Sequence, residues 1–398
     1  MTGNSSERPV EPSRIRDPRP ATERPRALIV EDGFQRGSLA AARALGQAGW
    51  RVGIGSPREG FASISRATSA WHRVPSPEDG QEGFVDAVRK AVEAEGYEVV
   101  FGAGDGEVLA LSAGRRELGA IFPYGPHEDV VRAFDKVELS AAAARAGLSV
   151  PAAATPEDAP VVVKPRRTTV HDPEGGPLRL RAQVAQTPDD ARAQVEYLES
   201  VGAEPLVQEY VEGDLLAYVA VTDRESRVVS SVQQRTEEIW PRQSGGSIRA
   251  RTEPIDDELA EKVGALLAEL RWLGIAQTQF QVTPGRDPVL IDFNGRFYGS
   301  MALVLAAGPN LPAIWAALAT GRPVPEVEAA REGVRYHWLE SDLRRVVNER
   351  RGLVGSIGYA IGSRHGLWDT QDPAPAALHV KRLAGRALRR ASANGSKR

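Results

Sequence analysis

The sequence predicts an α/β plus α+β protein, with an N-terminal doubly wound parallel sheet followed by a unit built from antiparallel hairpins. Three observations predict it. Short apolar runs alternate with helical segments over residues 26–102, paired strands joined by turns recur over 204–221 and 275–294, and 398 residues suffice for two or three domains around a large core.

The first strand is "RALIV" at 26–30, followed by an Ala-rich helix over 39–48 that Gly49 ends, and by the strand "WRVGIG" at 50–55. A second helix carries Phe84, Val88 and Val92 on one stripe, Gly96 breaks it, and "YEVVFG" at 97–102 is the next strand. The first turn, "EDGFQRGS", lacks the GxGxxG spacing of a dinucleotide site. "GAGDGE" at 102–107 places Asp105 and Glu107 at a strand's carboxyl end, either as solvated acids of a tight turn or as ligand-facing groups, since open α/β sheets bind ligands there.

Composition removes several classes. Zero cysteines exclude disulfides, thiolate metal sites and cysteine nucleophiles, and the six histidines show no HExxH-type pairing. A net charge of -3 gives no reason to expect nucleic acid. No run approaches the roughly 18 to 20 apolar residues of a membrane helix, and the N-terminus is polar and Pro-rich, so no membrane association and a cytoplasmic location are expected. Residues 1–25, with five prolines and few large apolar side chains, are expected to be disordered. The tail from Val380 is basic without an acid and reads as a frayed, solvated terminus or as a contact for an anionic surface.

Only six of the fifty cationic residues are lysines. Lys90 and Lys262 lie on polar helix faces and Lys381 and Lys397 in the tail, which singles out Lys136 in "AFDKVEL" and Lys164 in "APVVVKPRR". Lys164 ends an apolar strand and precedes Pro165, so its ammonium stands on a rigid element, either snorkelling at the surface or meeting a phosphate as a compact point charge. In "EPLVQEYVEGDLLAYVAV" a short strand through Gln208 runs into Glu209, Tyr210 and Val211 before a turn at Gly213, and its edge can offer peptide groups to a base. Residues 233–251 then supply Arg235, Trp240, Arg242 and a Gly245-Gly246-Ser247 loop suited to an anion.

A helix over 256–273 leads into the hairpin "IAQTQFQV" and "VLIDFN". Period two sends Val289, Ile291 and Phe293 to the core and puts Asp292 and Asn294 on the other face with Gln277, Gln279 and Gln281. Two strand rises, about 6.6 Å, separate Asp292 from Asn294, so their oxygens can meet one small cation such as Mg²⁺. Arg296 is one step further along.

In order, "DK" at 135–136, "VVVKP", "LVQEYVEG", the Arg and Gly-Gly-Ser segment, and "IDFNGRFYGS" resemble the ATP-grasp superfamily, in particular its carboxylate-amine ligase branch, over about residues 26–320. The resemblance implies a pre-ATP-grasp domain at 26–125, ATP-grasp subdomains at 126–205 and 206–325, an extension at 326–378 and a basic tail at 379–398. It implies ATP and Mg²⁺ as cofactors, with Mn²⁺ as an alternative ion. Lys136 and Lys164 look like the nucleotide-contacting lysines, Gln208, Glu209, Tyr210 and Val211 like the adenine hinge, and Asp214 like a substitute for the ribose acid. Asp292 and Asn294 look like metal ligands, joined by Gln279 where many members carry an acid; family members usually have Glu where Asp292 stands. Arg296, Lys164 and Arg235 are the implied catalytic group. Because the usual Gly/Ser-rich cover after the Lys-Pro is missing, the phosphate grip is expected to use Arg166, Arg167 and the backbone at Thr168 and Thr169. The implied reaction phosphorylates a small-molecule carboxylate and joins it to a small-molecule amine, releasing ADP and phosphate, with a homodimer compatible. A phosphotransferase, a non-catalytic nucleotide-binding module and a bicarbonate-using carboxylase are the rival readings, the last without a biotin-carrier lysine motif in the chain.

Overall fold

The computed structural model describes residues 24–172, 176–242 and 245–395. The expected disorder of residues 1–25 falls almost wholly outside that range. Strand β1 (Arg26–Val30), helix α1 (Arg36–Gln47), β2 (Arg51–Ser56), β3 (Thr68–Arg73), α2 (Gln81–Glu95) and β4 (Val99–Gly102) make a parallel sheet of order β3-β2-β1-β4 with its crossover helices. β1 is apolar because it is central and covered: Ala27, Leu28, Ile29 and Val30 are at most 1% exposed. The "GAGDGE" turn does not stay a loop. It opens α3 (Asp105–Ala113), which places Asp105 at a helix N-terminus, where a carboxylate is favoured, and directly beyond the end of β4.

Next come α4 (His127–Phe134), α5 (Lys136–Arg145), β5 (Val161–Pro165), β6 (Thr169–Asp172), β7 (Gly176–Arg179), β8 (Gln183–Ala185), α6 (Pro188–Ser200) and β9 (Pro205–Glu209). β8, β5 and β9 form an antiparallel sheet backed by α6, and Val161, Val163, Leu180, Ala185, Ala191, Leu198 and Ala203 close a small core of their own. β10 (Asp214–Thr222), β11 (Val228–Trp240), β12 (Gly246–Glu253), α7 (Asp257–Glu269), β13 (Gly274–Val282) and β14 (Val289–Asn294) follow, then the apolar helices α8 (Met301–Ala307) and α9 (Leu311–Thr320). These two pack against α1, and α9 also against β4, so the first and last parts of residues 26–320 share one continuous core. Among the described residues no single helix is long and apolar enough to cross a membrane.

Four expectations need correction. The helix expected over 256–273 stops at Glu269, because Arg271 (φ +49°) and Gly274 (φ +102°) take left-handed conformations; a Cβ at Gly274 would lie 2.5 Å from the Trp315 ring. Of Val289, Ile291 and Phe293 only Phe293 keeps the core face: Leu290 joins it there, opposite Phe280, while Val289, though buried, stands opposite Gln281 on the face of Gln279 and Asp292. A bulge in β14 pairs Leu290 with Phe280 and Asp292 with Gln279, leaving Ile291 as the extra residue. The stretch after 326 is more than an appended extension: β15 (Arg335–His337), α10 (Leu339–Glu349), α11 (Leu353–Ala360) and β16 (Arg364–His365) add two strands to the main sheet, whose order is β14-β13-β10-β11-β12-β15-β16. The basic tail begins inside a helix, α12 (Ala374–Gly395), rather than as a frayed coil.

That added edge is pinned by one carboxylate. Asp342 is fully buried and accepts from Arg249 (2.7 Å), Arg345 (2.8 Å), His337 (2.7 Å) and Ser356 (2.8 Å). Burial pushes its carboxyl up, but those hydrogen bonds outweigh burial and hold it well below the usual carboxylate range. With the folded value depressed, this stabilisation is present above the ordinary carboxylate value and is lost as pH falls below it. Asp342→Ala leaves two guanidiniums without their shared partner and is expected to cost about 3–5 kcal/mol. Urea unfolding of the variant checks this, and an unchanged midpoint contradicts it.

Candidate functional site

A cavity of about 750 Å³ lies between the small antiparallel sheet and the main sheet. β5 carries Lys164 to its wall, 7% exposed, opposite Leu206 of β9. Lys136 is the first residue of α5; Asp135 caps that helix through the N–H groups of Val137 and Glu138, and the Lys136 ammonium reaches Thr168 Oγ1 at 3.4 Å. The same Asp135 carboxylate accepts from Arg166 at 2.7 Å, and Arg166 also meets Glu204. Of the four residues expected to grip phosphate, Arg167 and Thr168 line the cavity, Arg166 does not, and the Thr169 side chain lies outside the described residues.

Gln208, Glu209, Tyr210 and Val211 line another wall. Glu209 holds this hinge in place: its N–H donates to Ala152 O, and its carboxylate accepts the Ala152 N–H (3.1 Å) and Arg286 (2.7 Å). From the main sheet come Gln279, Asp292, Asn294 and Arg296. The Asn294 amide nitrogen donates to Asp292 Oδ2 and to Gln277 Oε1, both at 3.3 Å, which leaves the amide oxygen as the atom able to ligate. Arg296 is held by Asp105 at 2.6 Å and donates to Phe297 O at 3.2 Å.

Ten of the twelve expected site residues therefore meet at one cavity, and Arg235 and Asp214 do not. Register is the reason for Arg235. Ala217 lies opposite both Gln234 and Gln279, so Arg235, one residue on, takes the reverse face of the sheet, where it pairs with Glu253 (2.8 Å) and with Asp214 (3.4 Å). Sequence reasoning left Asp105 undecided, and it belongs to the site. Arg181 was missed altogether; it lines the cavity from just beyond β7, a position with no periodic signal. Arg242, named only as part of a loop, lines it too.

The lining carries six basic side chains (Lys136, Lys164, Arg167, Arg181, Arg242, Arg296) against three acidic ones (Asp105, Glu209, Asp292). Burial pushes the Lys164 ammonium down to about 8; Asp292 raises it and Lys136 lowers it further. Burial also lowers Lys136, against the pull of Asp292 and Asp105. The Asp292 carboxyl is raised by burial, although Lys136 draws it down. Such a site is short of negative charge, and a polyanion would supply it. Asp292 and Asn294 fit a Mg²⁺ ion in kind: hard oxygens, one carboxylate, and room for phosphate oxygens to complete the shell. Among the described residues there is no group of three or more His, Cys, Asp or Glu side chains placed to hold a metal, so an ion here would depend on its anionic ligand.

A family model described as "ATP-grasp in the biosynthetic pathway with Ter operon" matches residues 204–342. Among solved structures, N5-carboxyaminoimidazole synthetase from Staphylococcus aureus, complexed with ADP, superposes with a TM-score of 0.61 at 13% identity, covering 82% of this chain and 85% of that one. Biotin carboxylase from Campylobacter jejuni, complexed with β-γ-ATP, gives 0.60 at 15% identity over 79% and 75%. L-amino acid ligase from Bacillus licheniformis gives 0.55 at 15% over 74% of each chain. No curated protein sequence matches. At these identities the likeness establishes a shared fold.

The charge balance of the cavity makes a prediction that needs no nucleotide. A bound polyphosphate keeps Lys164 protonated, so binding raises its value above about 8. Affinity for inorganic tripolyphosphate is then expected to hold below that pH and to fall as pH rises through it, with proton uptake on binding. Calorimetry in two buffers of different ionisation enthalpy reads both effects, and a pH-independent affinity between 7 and about 9.5 would contradict the assignment of charge.

Proposed function

We propose that this chain, whose fold is shared with ATP-grasp enzymes, is an ATP-dependent ligase that converts a carboxylate to an acyl phosphate and joins it to an amine. The observation that carries this reading is the meeting of Lys136, Lys164, Asp292, Asn294 and Arg296 around one cavity that the 208–211 hinge also lines. In it, Tyr210 and Val211 present peptide edges to the adenine, and Lys136 and Lys164 bind phosphate oxygens. Asp292 and Asn294 would hold Mg²⁺, which when bound neutralises charge on the phosphates.

A carboxylate approaching a triphosphate meets like-charge repulsion, and the chain's part is to remove it. Arg296, anchored by Asp105 at 2.6 Å, orients the carboxylate, while Lys164 stabilises the charge of the phosphoryl group in transit. The carboxylate oxygen attacks the γ-phosphorus and ADP leaves. The amine nitrogen then attacks the acyl carbon, phosphate leaves with the bonding pair, and the nitrogen loses its proton. Arg235, paired with Glu253 on the reverse face of the sheet, has no part in this scheme.

One observation favours a second reading. Gln279 stands directly opposite Asp292, so the metal position has one carboxylate; a nucleotide-binding module would bind MgATP yet release no ADP with any acceptor. A phosphate-release and ADP-release screen against pooled amino acids and small carboxylates separates the two, since a ligase releases both products only with the matching pair. Asp292→Ala is expected to lower turnover at least ~100-fold with an unchanged unfolding midpoint. Lys164→Ala is expected to weaken MgADP binding about tenfold or more by calorimetry, and an unaltered affinity counts against its phosphate role.

A further inference from the structure

A second cavity of about 310 Å³ adjoins the first, and Arg181 and Arg296 line both. Its volume suits one small molecule. Its other walls come from parts of the chain far apart in sequence: the β1–α1 turn with Phe34 and Arg36, the segment after β2 with Phe61, the loop after β14 with Tyr298, and Trp338 and Leu367 from the added sheet edge.

Two features define its chemistry. It is flat and aromatic: Phe34 and Phe61 stand edge to face with centroids 5.4 Å apart, and Trp338 presents its ring face to the Arg36 guanidinium at 3.4 Å. It is also cationic. Arg58 and Arg382 lie over the Phe34 ring at 5.3 and 3.1 Å, and Arg36, Arg181 and Arg296 line the space itself. The nearby acids offset this weakly, because burial pushes the Glu31 carboxyl up to about 8 and raises that of Glu340. Two residues of its wall carry buried polar atoms without a hydrogen-bond partner among the described residues, the Tyr298 hydroxyl, on a residue 3% exposed, and the Trp338 indole N–H.

We propose that this second cavity holds the acid to be activated, and that this acid is an aromatic monocarboxylate. The assignment rests on the ligase reading above. The carboxylate lies at the Arg296 and Arg181 boundary, where a γ-phosphoryl group in the first cavity can reach it. The guanidinium of Arg296 has five N–H groups, of which Asp105 and Phe297 O take two. The ring lies among Phe34, Phe61, Trp338 and Leu367, with Arg36 over the Trp338 face.

The test uses the full chain with MgATP, hydroxylamine as a generic amine, and three probe acids: 3-phenylpropanoate, butanoate and glutarate. The carboxylate oxygen takes the γ-phosphoryl group and ADP leaves; the hydroxylamine nitrogen attacks the acyl carbon, phosphate departs with the bonding pair, and a proton goes to solvent, leaving a coloured hydroxamate on iron addition. The expected result is hydroxamate from 3-phenylpropanoate with a KM at least about tenfold below that of butanoate. Phe61→Ala and Trp338→Ala should each raise that KM about tenfold with the ATP KM changed less than twofold. Arg181→Glu, at an exposed position, should raise it as well. Preference for butanoate or glutarate overturns the assignment, and so does indifference of the aromatic acid's KM to all three variants. Activation of none of the three acids by a protein that binds MgADP calorimetrically overturns it while leaving the nucleotide site intact. Failure to bind MgADP removes the ligase reading itself, and the acid assignment falls with it.

Discussion

The ion pair between Arg296 and Asp105 is the contact on which the site's geometry depends. The two residues are 191 positions apart, one in the loop after β14 and the other at the first turn of α3, and they meet at 2.6 Å. A guanidinium this buried needs a charged partner, since desolvation without one is costly. Apolar packing enforces the meeting: Phe297, the next residue, is fully buried against Phe101 of β4 and Trp315 of α9, with centroids 5.6 Å away in each case. The loop is thus tied to the parallel sheet by a hydrophobic anchor and a charge at adjacent positions. Because Arg296 borders both cavities, that tie sets where they meet.

The net charge of -3 conceals this local arrangement. Acidic residues are spent elsewhere, on exposed helix pairs such as Asp86 with Arg89 and Glu258 with Lys262, while the cavity keeps a basic excess. The sparing use of lysine follows the same division. Arg suits the fixed, forked pairs that fasten elements together, as at Asp342 and Asp129, whereas the buried Lys164 and the half-buried Lys136 occupy the cavity, where a compact charge that can yield its proton is more useful than a rigid fork.

Much of this could be read from the chain, and what could not has physical reasons. Lys164, Asp292 and Asn294 announced themselves because a single strand fixes where each side chain points, and period two is a local rule. That rule misled at Ile291, where a bulge shifts parity, and at Arg235, where the right residue type sits one position off the cavity face. Asp105 stayed undecided because its meaning lies in a partner 191 residues away. The Arg36 and Trp338 stack, with 3.4 Å between cation and ring, is of the same kind. So is the growth of the main sheet by β15 and β16, two very short strands whose apolar content is too small to stand out.

The division of the core bears on how the cavity works. Residues 161–203 close their own small hydrophobic cluster, while the parallel sheet, the main sheet and the helices between them share a single large one. Lys164, Arg167 and Arg181 belong to the small unit, and Asp292, Asn294 and Arg296 to the large one. Moving the first against the second therefore disturbs little apolar burial, and what it changes is the distance between the cations of one unit and the ligands of the other. Asp292 of the large unit already draws Lys164 of the small one, and Arg296 is balanced by Asp105, so the acids on one side partly offset the cations facing them, and a polyphosphate between the two units would add the negative charge that the lining lacks.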